Sequence, residues 1–326
     1  MRFRAIGVVL LAAAGRVLAG GDDGFDGFAS VLAPPSLVGA APGGAEDHGL
    51  FGQPVNPATR TGEQPETSGH LRTFELPAIT VQGQPGSALR EEDLVGPYAQ
   101  PRWTTGRRFP NTRVYVIPEG KVEVEAWYRL TVPRRGGDDE ARALAEVEIG
   151  LPHRFQLDVY FRTDQDDIDS KVMYGQQIEL RYALADWGRI WGNPTLYFEY
   201  IQLDDDRADR IEPKLLLGGE IAQGWHWGAN FVMEWEIDGP EKVHEYEFTG
   251  GISYTVLDQK LDIGAETKIN FADEHGSRGH FDDEWFLGPS IQWRPVPRWT
   301  INVAPLLGIV GDSPAAQMTF NMGWEF

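Results

Sequence analysis

Cysteine is absent from the 326 residues, which excludes disulfides, Cys-ligated zinc and a lipid-modified N-terminal cysteine. Long apolar runs are nearly absent too. A membrane helix needs about 18 or more consecutive apolar residues, and only the extreme N-terminus comes near that. With 41% hydrophobic residues and a mean hydropathy of −0.35, a helical membrane bundle is disfavoured. Positive charge is also scarce, 29 Lys+Arg against 49 Asp+Glu for a formal net charge of −20. Such a field repels phosphate, so nucleic acid is not an expected partner, whereas cations suit it. No cofactor is expected. What the chain has in plenty is 38 Gly, 22 Pro and 11% aromatic residues, a composition that leans all-β.

Residues 1–19 read as a signal peptide. Arg2 and Arg4 form its basic start, Ala5 to Gly15 its apolar run, and Val17-Leu18-Ala19 its cleavage site. Loss of Arg2, Arg4 and Arg16, with no acid, would take the charge from −20 to −23. Residues 20–87 are rich in Gly, Pro and Ala without apolar period, the pattern of a linker or disordered region. Within them Leu76-Pro77-Ala78-Ile79-Thr80-Val81-Gln82-Gly83 resembles the short extended box of TonB-dependent transporters, but the remaining chain is too short for their plug and barrel. Residues 88–120 differ again. Arg102, Trp103, Arg107, Arg108 and Arg113 fall in a stretch with no acid between Pro101 and Pro118, which reads as a periplasmic lead-in or a plug for an acidic lumen.

From residue 121 to residue 326 the period becomes two. Val122, Val124, Ala126, Tyr128 and Leu130 alternate with Glu123, Glu125, Trp127 and Arg129, and Phe155, Leu157, Val159 and Phe161 with Gln156, Asp158, Tyr160 and Arg162. One apolar and one polar face per strand is the result. Repeating the pattern gives about twelve strands of about ten to thirteen residues, an even number within the range of outer-membrane barrels. Thr195 to Leu203 is ambiguous in phase, because Leu196, Phe198 and Tyr200 compete with Tyr197 and Ile201; Glu199 is placed on the polar face because charge in lipid is costly.

The connections show which way the meander faces. Links after odd-numbered strands hold eighteen acids, those after even-numbered strands two. A soluble sandwich has no reason to segregate charge this way, whereas a membrane barrel has distinct periplasmic and extracellular ends. Trp187, Trp191, Trp225, Trp227, Trp293, Trp299 and Trp324 all fall at the low-acid end, as an interfacial girdle would. The expected fold is therefore all-β, a transmembrane antiparallel up-and-down barrel with an N-terminal signal peptide and a largely irregular extension.

The C-terminal Phe320, Met322, Trp324 and Phe326 resemble the closing signature of Gram-negative outer-membrane β-barrels, in which Trp324 and terminal Phe326 would be read by the barrel assembly machinery. The resemblance covers about Lys121 to Phe326. The lead-in Val116-Ile117-Pro118-Glu119-Gly120 before an alternating first strand is similar to that of porin-like barrels grouped with the MetA-pathway phenol-degradation proteins. The resemblance implies an outer-membrane location, contact with outer-membrane lipid and handling of small molecules, with no catalytic residues.

Closing the strands would put Glu123, Glu125, Arg129, Glu179 and Arg181 on the lumen wall, together with Glu234, Glu236, Glu245, Glu247, Glu266 and Lys268. Acid excess there favours cations. The i, i+2 pairs Glu234 with Glu236 and Glu245 with Glu247 lie at the lower edge of inverting-glycosidase spacing, but such pairs recur along the lumen, so catalysis is not expected. Nor does a barrel phospholipase assemble, since Ser253 and Ser290 phase to the lumen and His244 to lipid. Asp164, Asp166, Asp167 and Asp169 crowd one loop and Asp273, Glu274, His275, His280, Asp282 and Asp283 another. Divalent cations bridging these outer loops to lipid phosphates are the expected partners, with no specific metal site. The function expected is a porin-like channel for small polar or cationic solutes. Its rivals are a plugged structural or interaction barrel and a secreted carbohydrate-binding β-sandwich.

Overall fold

The computed structural model describes residues 80–81, 90–166, 170–204, 207–239 and 242–326. The expected signal peptide, the linker other than Thr80 and Val81, and Asp167 and Asp169 lie outside the described residues. Before the barrel, β1 (Thr80–Val81) pairs antiparallel with β2 (Leu94–Val95). Twelve longer strands follow: β3 (Val122–Val132), β4 (Glu140–Leu151), β5 (Phe155–Gln165), β6 (Met173–Ala183), β7 (Thr195–Leu203), β8 (Arg210–Ala222), β9 (Trp225–Glu236), β10 (His244–Leu257), β11 (Leu261–Asp273), β12 (Asp282–Trp293), β13 (Trp299–Gly308) and β14 (Ala316–Glu325). Each pairs with its sequence neighbours, and β14 returns to β3 with Phe320 opposite Tyr128. The Phe326 N–H donating to the Val122 carbonyl at 3.0 Å completes the seam. The result is a closed twelve-stranded up-and-down barrel, which leaves no free edge.

The period-two pattern decides which residues see the lumen. Phe161 and Leu307 are 58% and 61% exposed on the outside, whereas Glu125, Asp158 and Asn302 are 0% exposed inside. An apolar exterior around a polar interior is stable only with lipid outside, so the barrel is a transmembrane one. Strand length agrees, since about eleven residues tilted by about 40° rise roughly 28 Å, close to the apolar band of such barrels. β7 takes the phase that puts Glu199 inside, with Tyr197 and Ile201 buried and Leu196, Phe198 and Tyr200 facing outward. At the low-acid end, Trp299 packs on Trp324 at 5.6 Å and Trp225 on Tyr254 at 5.1 Å, an aromatic belt at the membrane rim.

One ladder is interrupted. Between β12 and β13, pairing runs Leu287 to Leu307 and resumes at Ile291 to Val303. Pro289 and Pro305 lie in that gap and lack the N–H a ladder needs. On its lumen side Phe286, Ala304 and Leu306 form a small apolar cluster.

Candidate functional site: a plugged lumen

Residues 90–120 enter from the low-acid end, run into the barrel and return to β3. Pro97, Pro101, Pro110 and Pro118 remove backbone donors and prevent a regular element, leaving three short 3-10 turns and open chain. Backbone groups buried in this way need partners, and polar lumen side chains supply them. The Asn111 N–H donates to Glu266 at 2.8 Å, that of Arg113 to Asn230 at 2.8 Å and that of Ile117 to Gln156 at 2.7 Å. Asn230 also donates to the Arg113 carbonyl at 2.8 Å, and Gln292 to that of Arg107. Asn230, Gln156 and Gln292 on the barrel wall are thus the sockets of an inserted segment.

Apolar packing fills the same half of the barrel. Trp103, Phe109, Val114, Tyr115 and Val116 form one buried cluster, with Ala183 of β6. Trp187 belongs to this cluster and not to the girdle. Its ring meets Trp103 at 5.5 Å and Tyr115 at 5.3 Å, both edge-on, and its N–H donates to the Tyr98 carbonyl at 2.8 Å. Trp187 turns inward under the plug while Trp191 of the same link is 82% exposed, a split that a rim assignment from chain position does not anticipate. Opposite, Gly218, Gly228 and Gly251 stand in direct register on β8, β9 and β10 and make a trough in the wall. A Cβ at Gly251 would lie 2.7 Å from Phe109 Cδ1, and one at Gly228 2.7 Å from Val114 Cγ2. Three glycines at lumen-facing positions of consecutive strands are the signal in the sequence for something seated there.

Three clusters of charge hold the segment. In the first, Arg107 donates to Glu125 at 2.9 Å and lies 3.4 Å from Glu146, while Arg113 pairs with Glu146 at 3.3 Å and with Glu148. Trp127 donates to Glu146 at 2.8 Å, and the Arg107 guanidinium stacks 3.7 Å from its ring centroid. Here β3 and β4 set Glu125 opposite Glu146 and Glu123 opposite Glu148, like charges that an empty lumen would leave facing each other.

In the second cluster, Arg108 meets Asp262 at 2.8 Å and Glu91 at 3.5 Å, and donates to His226 Nδ1 at 2.7 Å. A guanidinium only donates, so His226 accepts at Nδ1 and is neutral, with its proton on Nε2, 3.3 Å from Glu92. The third cluster closes the base, where Arg294 grips Glu91 through two nitrogens, the longer contact at 2.7 Å. Burial raises the Glu91 pKa, but Arg294 and Arg108 outweigh it and hold the carboxyl below its ordinary value. Burial pushes Glu92 up. Arg294 phases to the lumen, but its pairing with Glu91 was not expected, since nothing in chain position links residues 203 apart. Trp103 donates to Glu220 at 2.6 Å, whereas Arg102 forms no ion pair among the described residues and gives only its carbonyl, to Thr105.

Deeper acids continue around the wall. Glu148 faces Asp158, Asp158 faces Glu179, Glu179 faces Glu199 and Glu199 faces Glu212 across five strands. Arg181 holds Asp158 at 3.0 Å and also Glu179, and Lys214 lies 3.8 Å from Glu199 and pairs with Glu212. Lys121 pairs with Glu123 at 3.3 Å. Above the plug the lumen is open, a cavity of about 960 Å³ reaching from Arg107, Pro110, Asn111 and Arg113 to Glu140, Asp166 and Asp282 at the loop end. Arg129, Glu234, Glu236, Glu245, Glu247 and Lys268 line it, whereas Glu266 lies below, on the plug.

No family model matches the sequence, and no curated protein matches it. Seventy-four chains of solved structures do match. The NanC porin is 14% identical with a TM-score of 0.44, covering 63% of this chain and 98% of its own. The KdgM porin is 12% identical with a TM-score of 0.45 over 63% and 99%. An outer membrane channel, COG4313, from Pseudomonas putida F1 is 10% identical with a TM-score of 0.47 over 65% and 97%.

Two of the outer-loop acids are held by protein partners. Asp164 lies within β5, and Arg142, Arg162 and Arg207 each reach it at 2.7 Å. Asp273 accepts from the Gly279 N–H at 2.9 Å and lies 3.4 Å from Arg278. The acidic groups that do converge are Glu125 with Glu146 and Glu148, and Glu146 with Asp158 and Glu179. Both are inside the lumen, where arginines already neutralise them. Ser253 and Ser290 are buried on the lumen face, and Ser253 Oγ accepts from Arg108 at 3.1 Å. Trp324 and Phe326 pack together at 6.5 Å beside the seam.

Proposed function

We propose that the chain is an outer-membrane, porin-like channel for small polar solutes, cations favoured, whose exit is closed by its own residues 90–120. The acid-rich loops face outward and the lead-in lies on the periplasmic side. The observation that carries this reading is the division of the lumen: a dry, arginine-anchored segment fills the half opposite the loops, and a wet cavity fills the other. A solute entering between the loops reaches a dead end until the segment withdraws. It is read as a conduit and not an enzyme.

The absence of cysteine gives a clean test. Val114→Cys with Gly228→Cys places two thiols across the plug contact, where a Cβ at position 228 would lie 2.7 Å from Val114 Cγ2. In planar bilayers the oxidised protein should be silent, and the reduced protein should open and select for cations. Reduced and oxidised forms that conduct equally would show that the segment is not the gate. Silence in both would favour a permanently plugged barrel, a reading that the burial of Arg107 and Arg108 with their partners supports.

A further inference from the structure

The open half of the lumen is divided by charge. Below the exposed rim residues Glu140, Asp166 and Asp282, the wall made by β3, β4 and β5 presents Arg129, Arg142 and Arg162, and Arg207 reaches in from the 204–209 link. Among the described residues, the carboxylate that Arg142, Arg162 and Arg207 all reach is Asp164. Arg142 and Arg162 use only Nε on it, at 2.7 Å, so their terminal nitrogens have no hydrogen bond among the described residues. Arg129 stands directly opposite Arg142 in the β3–β4 ladder and has no ion pair or hydrogen bond among the described residues. Like charges facing each other across a ladder are destabilising unless an anion lies between them.

β4 and β10 are six strands apart in a ring of twelve and so face each other across the lumen. The wall centred on β10 is the electrical opposite. Glu212, Glu234, Glu236, Glu245, Glu247 and Glu284 outnumber Arg210, Lys214 and Lys268 two to one. Arg210 is shared by Glu234 at 2.5 Å and Glu236 at 3.2 Å, and comes no closer than 4.0 Å to Glu245, which faces Glu234 in register. Both walls line the same cavity.

The geometry points to a small zwitterion, an amino acid or short peptide with free ammonium and carboxylate ends, as the ligand of this vestibule. Its carboxylate lies against Arg129 and Arg142, its ammonium against Glu234 and Glu245. A simple anion finds partners on the arginine wall alone, and a simple cation on the acid-rich wall alone. A dipole aligned across the lumen satisfies both walls at once. The volume of the cavity lies within the range of small-molecule sites. This assignment rests on the channel reading for the route by which the ligand arrives.

The test is binding to the full chain in detergent at low ionic strength, by calorimetry, with three probes: L-alanyl-L-alanine, its N-acetylated form and its C-terminal amide. The zwitterion should bind about tenfold tighter than either singly charged form, the loss expected for one charge-assisted contact. Arg129→Gln should abolish the preference over the amide, and Glu245→Gln the preference over the acetylated form. Equal binding of the three, or tightest binding by a singly charged one, overturns the assignment in the unaltered protein, whatever the variants do. Unchanged ranking in both variants, with native heat-modifiable mobility, overturns it as well. Binding is read without flux, so a silent barrel that ranks the probes as stated refutes the channel alone, and a conducting one that does not refutes the zwitterion alone.

Discussion

Arg107→Gln asks whether buried charge holds residues 90–120 in the barrel. The Arg107 side chain is 4% exposed and those of Glu125, Glu146 and Glu148 are 0% exposed, at 2.9, 3.4 and 3.6 Å. Its loss leaves three desolvated carboxylates to share Arg113. Removing one partner from a buried ion pair costs about 3 to 5 kcal/mol. At about 1.4 kcal/mol per decade, the segment should open about two to three and a half orders of magnitude more often. Hydrogen exchange read by mass spectrometry on the folded barrel measures this, because the Asn111 and Arg113 amides are held by Glu266 and Asn230 only while the segment is seated. Arg102→Gln is the control and should leave exchange unchanged. Adding Glu125→Gln to Arg107→Gln should restore part of the protection, since it removes the charge left unpaired. If Asn111 and Arg113 exchange in Arg107→Gln as slowly as in the native chain, the charge clusters do not hold the plug, and the packing of Trp103, Phe109 and Tyr115 suffices alone.

Gly251→Val should unseat the same segment by sterics, because its Cβ would lie 2.7 Å from Phe109 Cδ1, and trypsin should then cleave at Arg107 or Arg108 in the assembled protein. Phe231→Arg, at an outward position 50% exposed in the middle of β9, should cost about 2 to 4 kcal/mol in refolding into lipid, whereas Val232→Thr on the lumen face should cost far less; equal refolding yields would reverse the inside and outside of that strand. The Glu91 clip has a pH signature. Its pKa is lowered in the folded state, so its contribution is complete above the ordinary carboxylate pKa and is lost as pH falls through the folded value. Protection of residues 91–95, taken relative to the intrinsic exchange rate at each pH, should therefore fall in acid in the native chain, and an equal fall in Glu91→Gln would assign the effect to another group.

Strand existence, number and facing were legible because they depend on local alternation. In a closed barrel with lipid outside, every second residue has only one tolerable side, so Val124, Phe161 and Ile263 are exterior and Glu125, Asp158 and Glu266 interior from phase alone. Where two apolar phases competed, in β7, a single charge was enough: Glu199 cannot face lipid, and it does not. Net charge and proximity to β3 left the Arg-rich lead-in open between a plug and a periplasmic tail.

What chain position could not supply was partnership. Trp187 looked like a rim tryptophan because it sits in a low-acid link, yet it turns inward and its ring completes the plug core. Asp164 looked like a loop ligand for a cation, yet the register sets it opposite Arg142 and the 204–209 link brings Arg207 to it. The sequence by itself determined which residues face water and which face lipid, since that follows from a two-residue period and the cost of charge in hydrocarbon. Only the tertiary structure decided which charges meet: closure of twelve strands fixes the register, and with it the pairing of Glu91 with Arg294, the glycine trough beneath Phe109, and the opposition of an arginine wall to a glutamate wall across one lumen.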